Sequence, residues 1–343
     1  MNTPDWMAEL QTWQARYAQM AARVRAQSEA PPGVTPREEL ASEAGWRLYR
    51  YGRASGTPLL IVFALVNRPD VLDLAPGRSL IRSLLEHGVN VHLIEWDEPT
   101  ERQRDVSLAT YLQTYLADCV QAVLAANDTR QLDLLGVCQG GVFSLCYTAL
   151  QPAQVRRLIT MVTPVDFHTP DNALGNLLSN VDVELLTQVL GNIPGPLLTR
   201  AFLALKPYSL ASKKYLDAAL GDISDERLEA FLRMERWIHD TPDLAGAAFR
   251  DFVQLFFHQN RLVKGGLRLG TSDVDIGGIQ QPVFNIYATQ DHIVPPAAAR
   301  ALSDLLPLAP YAEFAVDAGH IGIYVSRKAS TQVPRRIANW LSV

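Results

Sequence analysis

The sequence predicts an α/β fold in which a mostly parallel, doubly wound sheet carries a helical insertion. Strand-like and helix-like segments alternate from about residue 44 to residue 166, which is typical of parallel strands joined by crossover helices. The alternation stops over residues 167–275, where helical segments contain scattered glycine and proline and no strand is predicted, and it resumes at residue 283. An insertion between two such blocks predicts a cap over the carboxyl edge of the sheet.

The individual elements are predicted from apolar runs and their periodicity. Residues 59–65 form a continuous apolar run, as expected of a strand that is covered on both faces. The other predicted strands are 89–96, 132–137, 157–162, 283–288 and 312–315, and the predicted helices are 78–87, 108–126, 140–150 and 333–341.

These elements divide the chain into four predicted segments. Residues 1–43 are an N-terminal helix and linker, 44–166 are the first part of the core, 167–275 are the cap, and 276–343 are the second part of the core. Within residues 1–28 an apolar stripe has the alternating spacing of a heptad seam, so it either packs on the chain's own surface or binds a helix of another subunit. The stripe consists of Trp6, Leu10, Trp13, Tyr17, Met20 and Val24.

Composition narrows the class of protein. The formal net charge is −5 and there is no basic tract, so no nucleic-acid partner is expected. No apolar run is long enough to span a bilayer, and the first residues lack the pattern of a secretory signal. Three cysteines argue against a disulfide scaffold and for a reducing compartment, so we expect a cytoplasmic protein.

The strongest chemical signal lies at residues 136–141, which have the sequence GVCQGG. This segment joins a predicted strand to a predicted helix, which is the setting of a nucleophile elbow. Gly136 and Gly140 are the small neighbours that let the strand and the helix approach each other. Cys138 occupies the central position, where serine is usual, so the sequence predicts an α/β-hydrolase fold with a cysteine nucleophile.

The partners of this nucleophile should follow in the order acid, then histidine, in loops after late strands. Asp291 follows the predicted strand 283–288, and His320 follows the predicted strand 312–315. His292 is a rival for the base, but it lies in the loop of the acid, so His320 is preferred. Cys119 and Cys146 are interpreted as core residues.

An oxyanion hole needs two backbone N–H groups. One is expected from Gln139, the residue after the nucleophile, and the second from Val66 or Asn67 in the loop after the strand 59–65. No pair of histidines has zinc-ligand spacing together with cysteine, so no metal is predicted. No cofactor is expected either.

The choice of cysteine indicates acyl transfer. A free thiol has a pKa of about 8.5, and a histidine partner at a helix N-terminus lowers it. A thiolate exchanges an acyl group readily with another thioester, because the acyl-enzyme lies close in energy to its donor, and the intermediate remains reactive toward an alcohol. Water must be excluded during this exchange, and the helical cap is a natural means.

The GVCQGG segment resembles the G-x-C-x-G-G box of polyhydroxyalkanoate synthases. The short chain and the glutamine in the box resemble the class III catalytic subunit, which works with a second, different subunit. The resemblance covers most of residues 44–341 and extends to the segments 64–69, 161–167, 191–195, 231–235, 290–296 and 319–326.

This resemblance implies an acyltransferase that polymerises (R)-3-hydroxyacyl-CoA, most of all 3-hydroxybutyryl-CoA, into polyester and releases CoA. Cys138 would carry the growing chain, His320 would activate it, and Asp291 would assist at the incoming 3-hydroxyl. The implied partners are a second copy of the chain, a second synthase subunit and the surface of a polyester granule in the cytoplasm. Two alternatives stay open, namely a cysteine-triad hydrolase or thioesterase and a non-catalytic granule-binding protein.

Overall fold

A computed structural model of the chain describes residues 33–52, 55–205 and 224–342, together with residue 15. Apart from residue 15, the predicted N-terminal helix of residues 1–28 lies outside the described residues. Most of the linker that follows it also lies outside them.

The described strands form one large sheet and two small hairpins. Their bounds are β1 Arg37–Glu43, β2 Trp46–Tyr51, β3 Pro58–Val62, β4 Asp73–Ala75, β5 Arg78–Ser79, β6 Asn90–Trp96, β7 Leu132–Val137, β8 Val155–Met161, β9 Leu267–Leu269, β10 Ser272–Val274, β11 Val283–Ala288 and β12 Tyr311–Val316. The large sheet has eight strands in the order β1-β2-β6-β3-β7-β8-β11-β12. From β6 to β12 every neighbouring pair is parallel, whereas β1 and β2 add an antiparallel edge.

The sheet begins earlier than the sequence predicted. β1 starts at Arg37, whereas the core was expected to start at residue 44 and residues 37–43 were expected to belong to the linker. Most side chains of this edge strand are exposed, so no apolar alternation marks it in the sequence. The strand predicted over 59–65 ends at Val62, because the chain then enters a loop in which the Leu65 N–H donates to the side chain of Gln139 instead of to a strand.

Helices cover both faces of the sheet. Around the first block they are α1 Leu80–Glu86, α2 Leu108–Thr110, a π-helical turn Tyr111–Tyr115, α3 Leu116–Ala126 and α4 Gln139–Leu150. Two apolar clusters form the core, one on each face of the sheet. The first cluster includes Val120 and Val142 from α3 and α4, and the second includes Leu84 from α1.

The insertion between β8 and β11 is mainly helical. Its described helices are α5 Ala173–Leu178, α6 Val183–Leu190, α7 Gly195–Ala204, α8 Asp225–His239, α9 Gly246–Phe252, a π-helical turn Val253–His258 and α10 Arg261–Lys264. We predicted no strand in this region, and that was wrong, because β9 and β10 pair as an antiparallel hairpin. Each has three residues, which is too short for a periodicity to be read from the sequence.

The chain ends with α11 Pro296–Arg300, α12 Leu302–Leu305, α13 Gly322–Val325 and α14 Ala329–Ser342. In α14, Val333 and Ile337 bury one face against the second core cluster beside α1. α13 lies directly after the loop that follows β12. Among the described residues, no helix combines the length and the apolar character that a membrane crossing requires.

Candidate active site

Cys138 lies in a strained turn between β7 and α4. Its φ of 54° and ψ of −121° place it in a region that residues with a side chain rarely adopt. Such a conformation costs about 1–3 kcal/mol and persists only where the surroundings enforce it. Two backbone hydrogen bonds hold the turn, because the Cys138 N–H donates to the Met161 carbonyl at 2.8 Å and the Gly141 N–H donates to the Cys138 carbonyl at 3.0 Å.

The glycines around Cys138 are required by close packing. A Cβ added to Gly140 would collide with the carbonyl of Val62, and one added to Gly141 would collide with the Thr163 side chain. A Cβ on Gly136 would overlap the backbone of Gly141. The small residues predicted on either side of the nucleophile therefore let β7 and α4 approach β3 and each other.

The structure brings Cys138, His320 and Asp291 together. His320 Nδ1 and Asp291 Oδ2 are 2.7 Å apart, and both side chains are buried. The other carboxylate oxygen of Asp291 accepts the backbone N–H groups of Ile293 and Val294, each at 2.9 Å. Cys138 and His320 line the same cavity. The chain order that predicted these three residues thus corresponds to one connected arrangement.

The electrostatics of His320 favour its protonated form. Burial by itself lowers the pKa of His320, but the charges of Asp291 and Cys138, together with their hydrogen bonds, outweigh it and raise the pKa to about 10. In its neutral form the His320 ring can accept the thiol proton of Cys138, and the imidazolium that results is stabilised by the adjacent Asp291 carboxylate.

The other two cysteines lie in a different environment. Cys119 and Cys146 are fully buried in the core. Burial raises the pKa of Cys146 to about 12 and raises the pKa of Cys119 well above its usual value. Both therefore remain protonated at neutral pH, as expected of thiols that pack as small apolar groups.

The contact with Asp291 identifies His320, rather than its rival His292, as the predicted base. His292 lines the cavity that contains Cys138 and His320. The carboxylate of Asp291, however, contacts the ring of His320. His168 and His258 contact backbone carbonyls of the cap instead. Within the described ranges, no group of histidine, cysteine and acidic side chains has the arrangement of a metal site.

Cys138 lies where two apolar cavities meet. The first, which we call the triad cavity, has a volume of about 140 Å³ and is lined by Cys138, His320, Asn67, Trp237 and Tyr324, among others. The second, the cap cavity, has a volume of about 360 Å³ and extends from Cys138 between the helices of the insertion. Cap residues that line it include Leu178, Leu186, Leu198, Phe249 and Phe252. A bound acyl chain would thus be surrounded by apolar side chains.

The loop after β3 is fixed by the helix that follows the nucleophile. The side-chain carbonyl of Gln139 accepts the backbone N–H of Leu65 at 2.9 Å, and both residues are buried. Val66 comes next in the loop and lines both cavities beside Cys138, and Asn67 lines the triad cavity. The sequence predicted a role for the backbone N–H of Gln139 but not for its side chain. No sequence signal other than the position of Gln139 after Cys138 indicated the contact with Leu65.

The cap is anchored to the same loop. The indole N–H of Trp237 in α8 donates to the carbonyl of Arg68 at 2.7 Å, and Arg68 forms an ion pair with Asp240 at 3.1 Å. These contacts hold Trp237 in the wall of the triad cavity that Cys138 also lines.

Comparisons with known proteins agree with this geometry. The model of the alpha/beta hydrolase fold matches residues 68–326, which confirms the predicted fold. The chain is 47% identical over 318 residues to the poly(3-hydroxyalkanoate) polymerase subunit PhaC of Allochromatium vinosum, covering 90% of this chain and 89% of that protein. It is 44% identical to the subunit of the same name from Synechocystis, with 90% and 85% covered. The chain belongs to the poly(3-hydroxyalkanoate) polymerase family.

Solved structures support the fold of this polymerase-family chain. A putative non-heme bromoperoxidase from Mycobacterium tuberculosis aligns with a TM-score of 0.51 at 19% identity, covering 89% of this chain and 99% of that one. A monoacylglycerol lipase from Paleococcus ferrophilus aligns with a TM-score of 0.52 at 18% identity, covering 86% and 98%. At these identities the likeness concerns the fold alone.

Proposed function

We propose that this polymerase acts through a covalent thioester on Cys138, with (R)-3-hydroxyacyl-CoA as the acyl donor and polyester as the product. Poly(3-hydroxyalkanoate) polymerisation itself follows from the family, which the identity over most of the chain establishes. The observation that carries the finer proposal is the His320–Asp291 hydrogen bond in the cavity that His320 shares with Cys138, at the point where a second apolar cavity also reaches Cys138.

The first step transfers an acyl group to Cys138. The thiolate attacks the carbonyl carbon of the acyl-CoA, the bond to the CoA sulfur breaks, and the leaving thiolate takes a proton from His320. The negative charge on the carbonyl oxygen would be stabilised by the backbone N–H of Gln139 and by that of Val66 or Asn67. Gln139 supports this assignment, because it lies at the N-terminus of α4 and its side chain fixes the neighbouring Leu65.

The second step extends the polyester. His320, now neutral, takes the proton of an incoming 3-hydroxyl, and the hydroxyl oxygen attacks the Cys138 thioester. A new ester bond forms, the bond to the sulfur breaks, and Cys138 is restored as a thiolate beside the imidazolium. Asp291 holds the His320 ring in orientation and stabilises its positive charge, as the 2.7 Å contact suggests.

The surroundings of the nucleophile favour an alcohol over water as the acceptor. Apolar side chains dominate both cavities, and α8 anchors the cap above Cys138. An acyl-enzyme that is shielded from water survives until the next substrate hydroxyl arrives. We further propose that 3-hydroxybutyryl-CoA is the preferred donor and that no additional cofactor is needed. The chain would form a homodimer that binds a second synthase subunit, and this complex would associate with polyester granules in the cytoplasm.

The decisive experiment is an assay of CoA release with 3-hydroxybutyryl-CoA, with and without a second synthase subunit of a class III enzyme. Polyester as an insoluble product supports the proposal. Free monomeric acid would indicate a hydrolase or thioesterase instead. The Cys138→Ser variant should lose nearly all activity, because an alkoxide is hard to form and its ester is hard to transfer.

The matched control removes a thiol elsewhere. Cys146→Ala deletes a buried thiol of the core and should retain polymerisation. If Cys138→Ala still supported polymer formation, the covalent mechanism would be wrong, and a non-catalytic granule-binding protein would be the better description.

A further inference from the structure

Tyr324 has a buried hydroxyl group that the protein itself does not satisfy. Its side chain is 2% exposed, and its oxygen has no hydrogen-bond partner among the described residues. Other tyrosines do find partners, since the hydroxyl of the buried Tyr147 donates to Gln154 at 2.6 Å and that of the partly buried Tyr311 accepts from Asn285 at 3.0 Å. Burying a hydroxyl without a partner is unfavourable, so its presence calls for an explanation.

This tyrosine belongs to the active site by position. It lies in α13, one helical turn after His320, and its ring packs edge-on against the His320 ring with centroids 6.4 Å apart at 89°. It lines the triad cavity together with Cys138 and His320. Burial raises the pKa of Tyr324 well above its usual value, and the negative charges of Cys138 and Asp291 raise it further. The hydroxyl thus stays neutral and is a hydrogen-bond donor close to the triad.

Two other polar groups that line the triad cavity have partners within the protein. Thr199 contacts the hydroxyl of Thr241 at 2.8 Å. The indole N–H of Trp237 donates to the Arg68 carbonyl. The Tyr324 hydroxyl, in contrast to these two groups, is a buried donor that a bound molecule, rather than the protein, would satisfy.

The position of Tyr324 relative to the triad indicates which substrate oxygen its hydroxyl would contact. The carbonyl oxygen of the acyl group belongs on the side of Gln139, at the N-terminus of α4. The incoming hydroxyl belongs on the side of His320, which takes its proton, and Tyr324 packs against that ring. We propose that the Tyr324 hydroxyl donates a hydrogen bond to the 3-oxygen of the incoming hydroxyacyl substrate. This inference rests on the proposed function.

In the extension step this hydrogen bond would stabilise developing charge. The 3-oxygen gives its proton to His320 and becomes more negative as it attacks the thioester carbon, while Tyr324 keeps its own proton throughout. A hydrogen bond to a charged oxygen is stronger than one to a neutral oxygen. The transition state of extension therefore gains more from Tyr324 than the bound substrate does.

The test separates extension from acylation. Butyryl-CoA lacks the 3-oxygen, so it can acylate Cys138 but cannot extend a chain. We expect Tyr324→Phe to be acylated by butyryl-CoA at the wild-type rate, measured as CoA released in a single turnover. We expect the same variant to polymerise 3-hydroxybutyryl-CoA about 10- to 100-fold more slowly, mainly through kcat. Its thermal midpoint should be equal to the wild-type value or higher, because the lost hydroxyl has no partner.

The control is Tyr147→Phe, which removes a hydroxyl that has a partner and is distant from the triad. This variant should polymerise at the wild-type rate, and its thermal midpoint should be lower than that of the wild type. The inference is overturned if Tyr324→Phe polymerises normally, or if butyryl transfer slows by the same factor as polymerisation. If the wild-type enzyme makes polyester, either of these results for the variant leaves the proposed function intact. A wild type that neither accepts butyryl groups nor makes polyester would overturn the proposed function and this inference with it.

Discussion

The Gln139 side chain connects the helix after the nucleophile to the loop after β3, and its removal gives a sharp test of how the oxyanion site is built. In the Gln139→Ala variant, the Leu65 N–H remains buried without its 2.9 Å acceptor. An unsatisfied buried donor costs about 1–3 kcal/mol, and the lost buried methylene costs about 0.8 kcal/mol more. We therefore expect the free energy of unfolding to fall by about 2–4 kcal/mol.

The same variant should impair acylation. Val66 follows Leu65 directly and lines both cavities beside Cys138, so a displaced loop misplaces the predicted oxyanion donor. Removal of one such donor costs about 100- to 1,000-fold in rate, and we expect a loss of about 10-fold or more from its displacement. Urea denaturation followed by tryptophan fluorescence measures the stability, and single-turnover CoA release measures the acylation.

Two further variants give this prediction its controls. Gln139→Met keeps the length of the side chain but removes the acceptor, so it should lose both stability and acylation rate. Gln131→Ala removes an exposed glutamine that donates to the Ala153 carbonyl at 3.2 Å, and it should change stability by less than about 0.5 kcal/mol. The reasoning is refuted if Gln139→Ala is as stable as Gln131→Ala, or if it is unstable but is acylated at the wild-type rate.

Three further predictions concern the triad and the N-terminus. Asp291→Asn should lower steady-state CoA release by about 10,000-fold with an unchanged circular dichroism spectrum, because the amide cannot stabilise the imidazolium; a loss below about 10-fold would contradict this role. The pKa of His320 is raised to about 10, above its unfolded value of about 6.5, so its contribution to stability is complete below about pH 6.5 and is lost as the pH rises toward 10. Nuclear magnetic resonance titration of the ring should show this pKa, and Cys138→Ala should lower it; an unchanged value would show that the sulfur charge does not act on His320. Deletion of residues 1–28 should weaken subunit association more than it harms the fold, and an unchanged elution volume on sizing chromatography would refute that.

Much of the fold could be predicted because buried parallel strands leave a strong local signal. β7 and β11 have the predicted bounds, since every residue in them is buried and all of them except Asp133 and Asn285 are apolar. β1 was missed for the opposite reason. Its hydrogen bonds come from β2 alone and most of its side chains face solvent, so neither hydrophobicity nor alternation reveals it.

The sequence by itself determined the identity and the order of the principal groups. The sequence has a cysteine flanked by glycines at a strand-to-helix junction, followed by an acid and then a histidine after late strands. In an α/β sheet, few other placements of these three residues fit that order. The physical reason is local, because an elbow needs small residues at fixed spacing from its central residue. A Cβ added to Gly136 or Gly140 would collide with neighbouring backbone atoms.

Tertiary structure alone decided the contacts between residues that are distant in the chain. It selected His320 over His292 as the partner of Asp291. It also joined the Gln139 side chain to Leu65 and left the Tyr324 hydroxyl without a partner beside His320. Hydrogen bonds of this kind depend on distances of a few tenths of an ångström across separate elements, and no spacing within the sequence encodes such distances.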